Sequence, residues 1–232
     1  MSVEPGRLLA SGRDGDIFEF GSGLVLRRAK SGRVIEREAH TMAYAHAHGF
    51  PCPTVHDVRA GGTEIVMERI DGPMMMDVMF RKPWLMAHYA RMLADLHDRL
   101  HVIPAPDFLP ELDGGDRLVH LDLHPMNVMI SANGPIVIDW PNASRGYGLT
   151  DVAVTIVLLT CPDVPGSRAL NLAVKPMRVF LERAFTSRYR GRALDERIAW
   201  AAPLKTLDKN LSDTEIAACI RLGDRACARA AC

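Results

Sequence analysis

Near the middle of the chain an acid, an amide and a second acid follow one another closely. The segment is His120-Leu121-Asp122-Leu123-His124-Pro125-Met126-Asn127, and twelve residues after Asn127 comes Asp139, within Ile138-Asp139-Trp140. These residue types at these spacings suit magnesium-dependent phosphoryl transfer. One carboxylate orients a hydroxyl and accepts its proton, while an amide and a second carboxylate hold metal on the nucleotide phosphates. The same letters also admit a transition-metal site: His120 and His124 offer imidazoles to Zn²⁺ or Fe²⁺, and metal-bound water would make a metal-dependent hydrolase. That alternative needs further histidines, and the other seven (His40, His46, His48, His56, His88, His97 and His101) form no recognisable ligand motif. Three polar groups around an otherwise apolar hairpin are costly to bury without partners.

The elements that must position this set follow from the flanking pattern. Val128-Met129-Ile130 and Ile136-Val137-Ile138 are apolar runs either side of an Asn133-Gly134 turn signal. Asn133 is six residues from both Asn127 and Asp139, so a hairpin about it brings those two side chains to one end, with Asp122 on the loop just before. Upstream, Leu8-Ala10, Ile17-Phe20 and Leu24-Arg28 read as short strands, and Gly12 and Gly15 sit in the first turn, where backbone can approach a phosphate closely. Residues 33–48 read as a helix ended by Gly49 and Pro51, with an apolar stripe of Ile35, Ala39, Met42, Ala43 and Ala47. Glu38 lies within it, placed to pair with a basic residue of the third strand. Residues 54–58 and 64–67 complete a small sheet.

Composition bounds the function. With 232 residues, 48% hydrophobic and 24% charged, the chain is an ordinary globular one with room for two lobes. A formal net charge of zero gives no global pull toward nucleic acid or membrane. No apolar run approaches a membrane span, and the first residues lack a signal peptide's pattern. Five cysteines, odd in number and without a Cys-x-x-Cys pair, read as reduced thiols of a cytoplasmic protein.

From about Leu8 to Asp151 the chain resembles the aminoglycoside phosphotransferase family of kinase-like enzymes. The resemblance rests on the order of the Gly-turn hairpin, Val25-Leu26-Arg27, Ile35-Glu36-Arg37-Glu38, Pro51-Cys52-Pro53, Val66-Met67-Glu68, the His120–Asn127 block and Ile138-Asp139-Trp140. It implies an α+β, two-lobed protein-kinase-like fold. The antiparallel-sheet N-lobe would span residues 1–70, with a hinge at 68–72, and a helical C-lobe would span residues 73–232. It implies ATP and Mg²⁺ as cofactors, Asp122 as the catalytic aspartate, and Asn127 and Asp139 as metal ligands. Arg27 stands where the family usually has a phosphate-binding lysine, with Glu38 as its helix partner. Adenine would meet the main chain of Glu68 and Ile70.

Two departures stand out. Arginine at position 27 keeps the charge but not the reach or geometry of lysine. Gly146-Tyr147-Gly148 replaces the family's usual Gly-acid-Pro, and Asp151 reads as a structural cap.

Beyond the hinge, residues 83–101 read as a long helix, and Met74-Met75-Met76 reads as adaptable packing. The last eighty residues read as four helices, at 152–159, 169–189, 194–201 and 212–231. Ser212 and Glu215 form a capping box for the last. Residues 152–232 carry 13 Lys and Arg against 8 Asp and Glu, a net +5, whereas residues 71–151 carry 6 against 11, a net −5. A pocket for a polycationic substrate should be acidic, and only Glu111, Asp113 and Asp116 form an acidic candidate, which reads equally as a solvated loop. The expected partner is a small hydroxylated molecule (an amino-sugar, antibiotic, sugar or amino-alcohol). A kinase-like nucleotide-binding regulator or protein kinase is the second possibility.

Overall fold

A computed structural model describes residues 4–12, 14–161, 168–207 and 211–231. Strands β1 (Leu8–Ser11), β2 (Gly15–Glu19), β3 (Leu24–Ala29), β4 (Val55–Arg59) and β5 (Glu64–Glu68) form one antiparallel sheet in the order β1-β2-β3-β5-β4. Helix α1 (Glu36–Ala47) packs against it. Its buried face is Ile35, Glu38, Ala39, Met42 and Ala45, whereas Ala43 and Ala47 are exposed. Ile35, Ala39 and Met42 of the expected stripe are thus buried, and only its two further alanines are not. Alanine marks a face only weakly, and the buried face turns Glu38 toward β3 rather than to solvent.

After Glu68 the chain crosses to the second half and touches it at once. Ile130 N donates to Pro73 O at 2.8 Å, and a Cβ on Gly72 would lie 2.2 Å from the Ile130 carbonyl oxygen. A short helix, α2 (Met75–Arg81), follows that the sequence pattern did not signal. Met75 is fully buried in the core, as the packing reading expects, while Met74 lines the interlobe cleft.

Helix α3 (Met86–Leu100) buries Tyr89, Leu93, Leu96 and Leu100 as its spacing predicts. Strand β6 (Arg117–Val119) pairs with β9 (Ser144–Gly146), and β7 (Val128–Ser131) pairs with β8 (Gly134–Val137). Helices α4 (Gly148–Thr160), α5 (Arg168–Thr186), α6 (Arg192–Lys205) and α7 (Asp213–Ala231) complete the fold. The capping box is formed: Ser212 N donates to Glu215 Oε2 at 2.7 Å and Glu215 N to Ser212 Oγ at 3.4 Å. The larger core cluster runs from α1 through α3 to α4, α6 and α7. Among the described residues no helix is long and apolar enough to cross a membrane. The two-lobed α+β architecture expected from the sequence is the one observed.

Candidate active site

The β7–β8 hairpin carries two of the three central polar residues. Its two-residue turn is Ala132-Asn133, and the left-handed backbone falls on Gly134 (φ 116°). Asn127 and Asp139 lie at its open end, where Ile138 N donates to Asn127 O at 3.0 Å. Asn127 Nδ2 donates to both the main-chain oxygen and Oδ2 of Asp122, each at 2.9 Å. No hydrogen bond among the described residues engages its Oδ1. The amide is therefore oriented by the loop and presents its oxygen elsewhere.

Asp122 is held from several sides. His124 Nε2 stands 3.5 Å from its Oδ1, and the His124 Nδ1 accepts from Met126 N at 3.3 Å. Burial works to raise the Asp122 pKa, but the bond from His124, the neighbouring His120 and the bond from Asn127 outweigh it and hold the carboxyl below its ordinary range. His120 is fully buried, accepts from Asp122 N at 3.2 Å and faces Ile138 O at 3.2 Å. Both its ring nitrogens are thus engaged, with Nε2–H donating to the carbonyl, and burial pushes its pKa down to a neutral ring. The His120–His124 metal cluster therefore does not form.

Arg27 on β3 and Glu38 on α1 meet at 3.1 Å, and Arg27 also reaches Asp139 Oδ1 at 3.1 Å. Burial pushes the Glu38 carboxyl up to about 7; Arg27 opposes that rise and Asp139 adds to it. Arg27 Nε and Glu38 Oε2 are buried without hydrogen-bond partners. Gly12 N donates to Gly15 O at 2.9 Å in the turn above, and a Cβ at Gly15 would lie 2.8 Å from the Arg28 carbonyl. That turn thus packs tightly on β3.

Gly12, Gly15, Arg27, Glu38, Glu68, Ile70, Asp122, Asn127 and Asp139 all lie on the walls of one cleft of about 1340 Å³. From the C-terminal helices, Leu158, Lys205 and Glu215 close its far side. Glu68 Oε2 accepts from Thr54 N at 3.2 Å and Thr54 Oγ1 at 3.1 Å.

Asp151 does something that sequence reasoning missed. It makes no capping bond to its own helix. Instead, Oδ2 accepts from His120 N at 3.1 Å and Oδ1 from Leu121 N at 2.7 Å, while His101 Nε2 lies 3.0 Å from Oδ2. His97 stands 3.6 Å away, and Thr155 links it (3.1 Å) to Leu123 O (2.8 Å). Burial opposes ionisation of Asp151, but His101 and His97 more than offset it and hold the carboxyl well below the usual range. His97, His101 and Asp151 place donor atoms within 4.8 Å of one another. The i, i+4 spacing of His97 on α3 and His101 at its C-cap is the one signal that could have exposed this knot. Of the acidic trio, Glu111 and Asp116 are exposed, as a solvated loop would have them, and pair with Arg145 and Arg117; Asp113 alone departs, half-buried and accepting from Thr150 Oγ1, Tyr147 N and Arg197. None of the three lines the cleft.

Comparison with known proteins agrees with the fold. The chain is similar over its length to a choline/ethanolamine kinase family protein from Mesorhizobium loti (16% identity, 99% of this chain and 92% of that one, TM-score 0.62). It is likewise similar to the aminoglycoside phosphotransferase APH(4)-Ia (18%, 97% and 93%, 0.60) and to aminoglycoside 2'-phosphotransferase-IIIa (14%, 98% and 94%, 0.55). A search of the curated proteins finds no match. The model of the phosphotransferase enzyme family matches residues 5–116 and 105–175, and the chain belongs to that family.

Proposed function

We propose that the protein is a small-molecule kinase that moves the γ-phosphoryl group of ATP to a substrate hydroxyl. The observation that carries this reading is the single cleft in which Asp122, Asn127, Asp139 and the Arg27–Glu38 pair stand together. Related folds have been solved with nucleotides: a thermostable mutant of APH(4)-Ia with AMP-PNP and hygromycin B, and aminoglycoside 2'-phosphotransferase-IIIa with GDP.

The residues fit a magnesium nucleotide. Asn127 Oδ1 and the Asp139 carboxylate are hard oxygen donors on one wall, the kind Mg²⁺ takes in phosphoryl-transfer sites. Arg27 Nε, buried without a partner, is a donor for a phosphate oxygen. Gly12 and Gly15 bring the β1–β2 turn close over the same space, and the main chain from Glu68 to Ile70 offers a carbonyl and an amide to the base at the hinge, residues 68–72. Bound Mg²⁺ would neutralise charge on the phosphates. Asp122 orients the acceptor hydroxyl and takes its proton late, as suits a carboxyl held below its usual pKa. Asn127 fixes the Asp122 carboxylate by hydrogen bond, and Arg27 supplies a cation. Positioning and charge neutralisation supply the catalysis.

Asp122→Ala tests the reading. Turnover with Mg·ATP should fall by about 10²–10⁴-fold, while the dissociation constant for ATP, from calorimetry, stays within about twofold of wild type. Loss of nucleotide binding alongside turnover would make Asp122 a structural residue instead.

A further inference from the structure

A second, smaller cavity of about 210 Å³ lies between the catalytic loop and the C-terminal helices. Its walls are Leu112, Leu121, Val154 and Val157, together with Trp200, Ala201 and Leu204 of α6. Among the described residues Lys205 is the one charged residue of its lining, and no carboxylate lines it. The two carboxylates flanking Leu112 are already engaged, Glu111 with Arg145 and Asp113 with Arg197 and Thr150.

The cavity adjoins the cleft at three points. Lys205 lines both, and Leu121 and Val157 of its wall are chain neighbours of Asp122 and Leu158 in the cleft wall. Leu121 also holds a left-handed backbone, φ 62°, a conformation that glycine adopts without strain. A leucine kept there places an apolar side chain in the wall beside the reacting position. Trp200 and Leu204 remain 38% and 47% exposed, so apolar surface is left uncovered at the mouth.

We infer that the phosphate acceptor carries an alkyl or aromatic group that seats in this cavity while its hydroxyl lies at Asp122, which makes the substrate an amphiphilic alcohol rather than a polycation. The inference rests on the phosphotransferase reading of the cleft. A cavity of roughly 150 Å³ lined by Leu, Ile and Phe is enough to hold benzene, so this one suits a single ring or a short branched chain. The absence of a carboxylate among the described lining residues and the basic balance of residues 152–232 both disfavour an amine-rich occupant.

The test uses the full chain and a series of 1,2-alkanediols from propanediol to octanediol, with phenyl-1,2-ethanediol as the ring. Binding is measured by calorimetry in the presence of Mg·AMP-PNP, and ADP release from Mg·ATP is followed in parallel. In the wild type each added methylene should tighten binding by up to about fourfold until the cavity is full. Leu204→Glu, at the exposed mouth, and Trp200→Ala should each flatten that trend by at least about tenfold at octanediol. Two variants guard against one that misfolds, and thermal melts establish which are folded. An affinity independent of chain length in the wild type, or an equal slope in the folded variants, overturns the subsite. A clear chain-length trend with no Mg·AMP-PNP binding and no ADP release for any hydroxyl compound keeps the apolar site and overturns the phosphotransferase reading instead.

Discussion

Leu121 and Asp139 adopt backbone conformations, φ 62° and 66°, that residues with side chains take reluctantly. Each costs on the order of 1–3 kcal/mol, and such strain clusters where surrounding contacts over-determine it. Here the contacts are named: Leu121 N donates to Asp151, and Asp139 is gripped by Arg27. The left-handed turn at Asp139 aims its carboxylate across the cleft toward Arg27 rather than along β8. The types of these residues were legible in the sequence, since an acid, an amide and an acid at that spacing have few other uses. Their conformations were not, because leucine rarely takes positive φ and aspartate, though it tolerates it, does not require it. The Arg27–Asp139 ion pair was equally hidden, because it joins residues 112 apart in sequence. At this scale Asp139→Asn should raise the Mg²⁺ concentration for half-maximal turnover by about tenfold or more, read from initial rates across a magnesium titration. An unchanged magnesium curve would remove Asp139 from the metal site.

Among the elements, α4 holds the loop of residues 120–127 through a charge buried in its first turn. Asp151 has no exposure and accepts from two consecutive main-chain amides of the loop. Its depressed pKa is therefore a statement about stability. The contribution is fully present above the unfolded carboxylate value, about 3.9, and is lost as pH falls below that toward the folded value. Asp151→Asn should cost at least about 1.5–3 kcal/mol at neutral pH, and urea unfolding at pH 7 and pH 3.5 should show the gap from wild type shrinking at the lower pH. The same gap at both values would show that ionised Asp151 does not hold the loop. The hairpin that carries Asn127 and Asp139 was readable, because apolar runs around Asn-Gly specify their own pairing. Helix α2 was not: Met75–Arg81 is too short to establish a helical period. The Asp151 knot left only the His97–His101 spacing as a signal, since its partners come from the end of α3 and the loop.

Across the whole molecule, a small sheet and a helical half meet at one cleft, and the nine residues picked out in the sequence come from both sides of it. The two-lobed plan was legible because each half has a distinct pattern, short alternating strands before residue 70 and long apolar periods after it. The far wall of the cleft was not, because it draws on α4, α6 and α7, whose mutual packing sequence periodicity does not specify. The central claim, phosphoryl transfer from Mg·ATP to an alcohol at Asp122, is tested most directly by mass spectrometry of a panel of hydroxylated small molecules incubated with the protein and Mg·ATP. A monophosphorylated product formed one-for-one with ADP, dependent on Mg²⁺ and absent with Asp122→Ala, is the predicted result. Nucleotide binding without any phosphorylated product, or hydrolysis that proceeds without nucleotide, would contradict it.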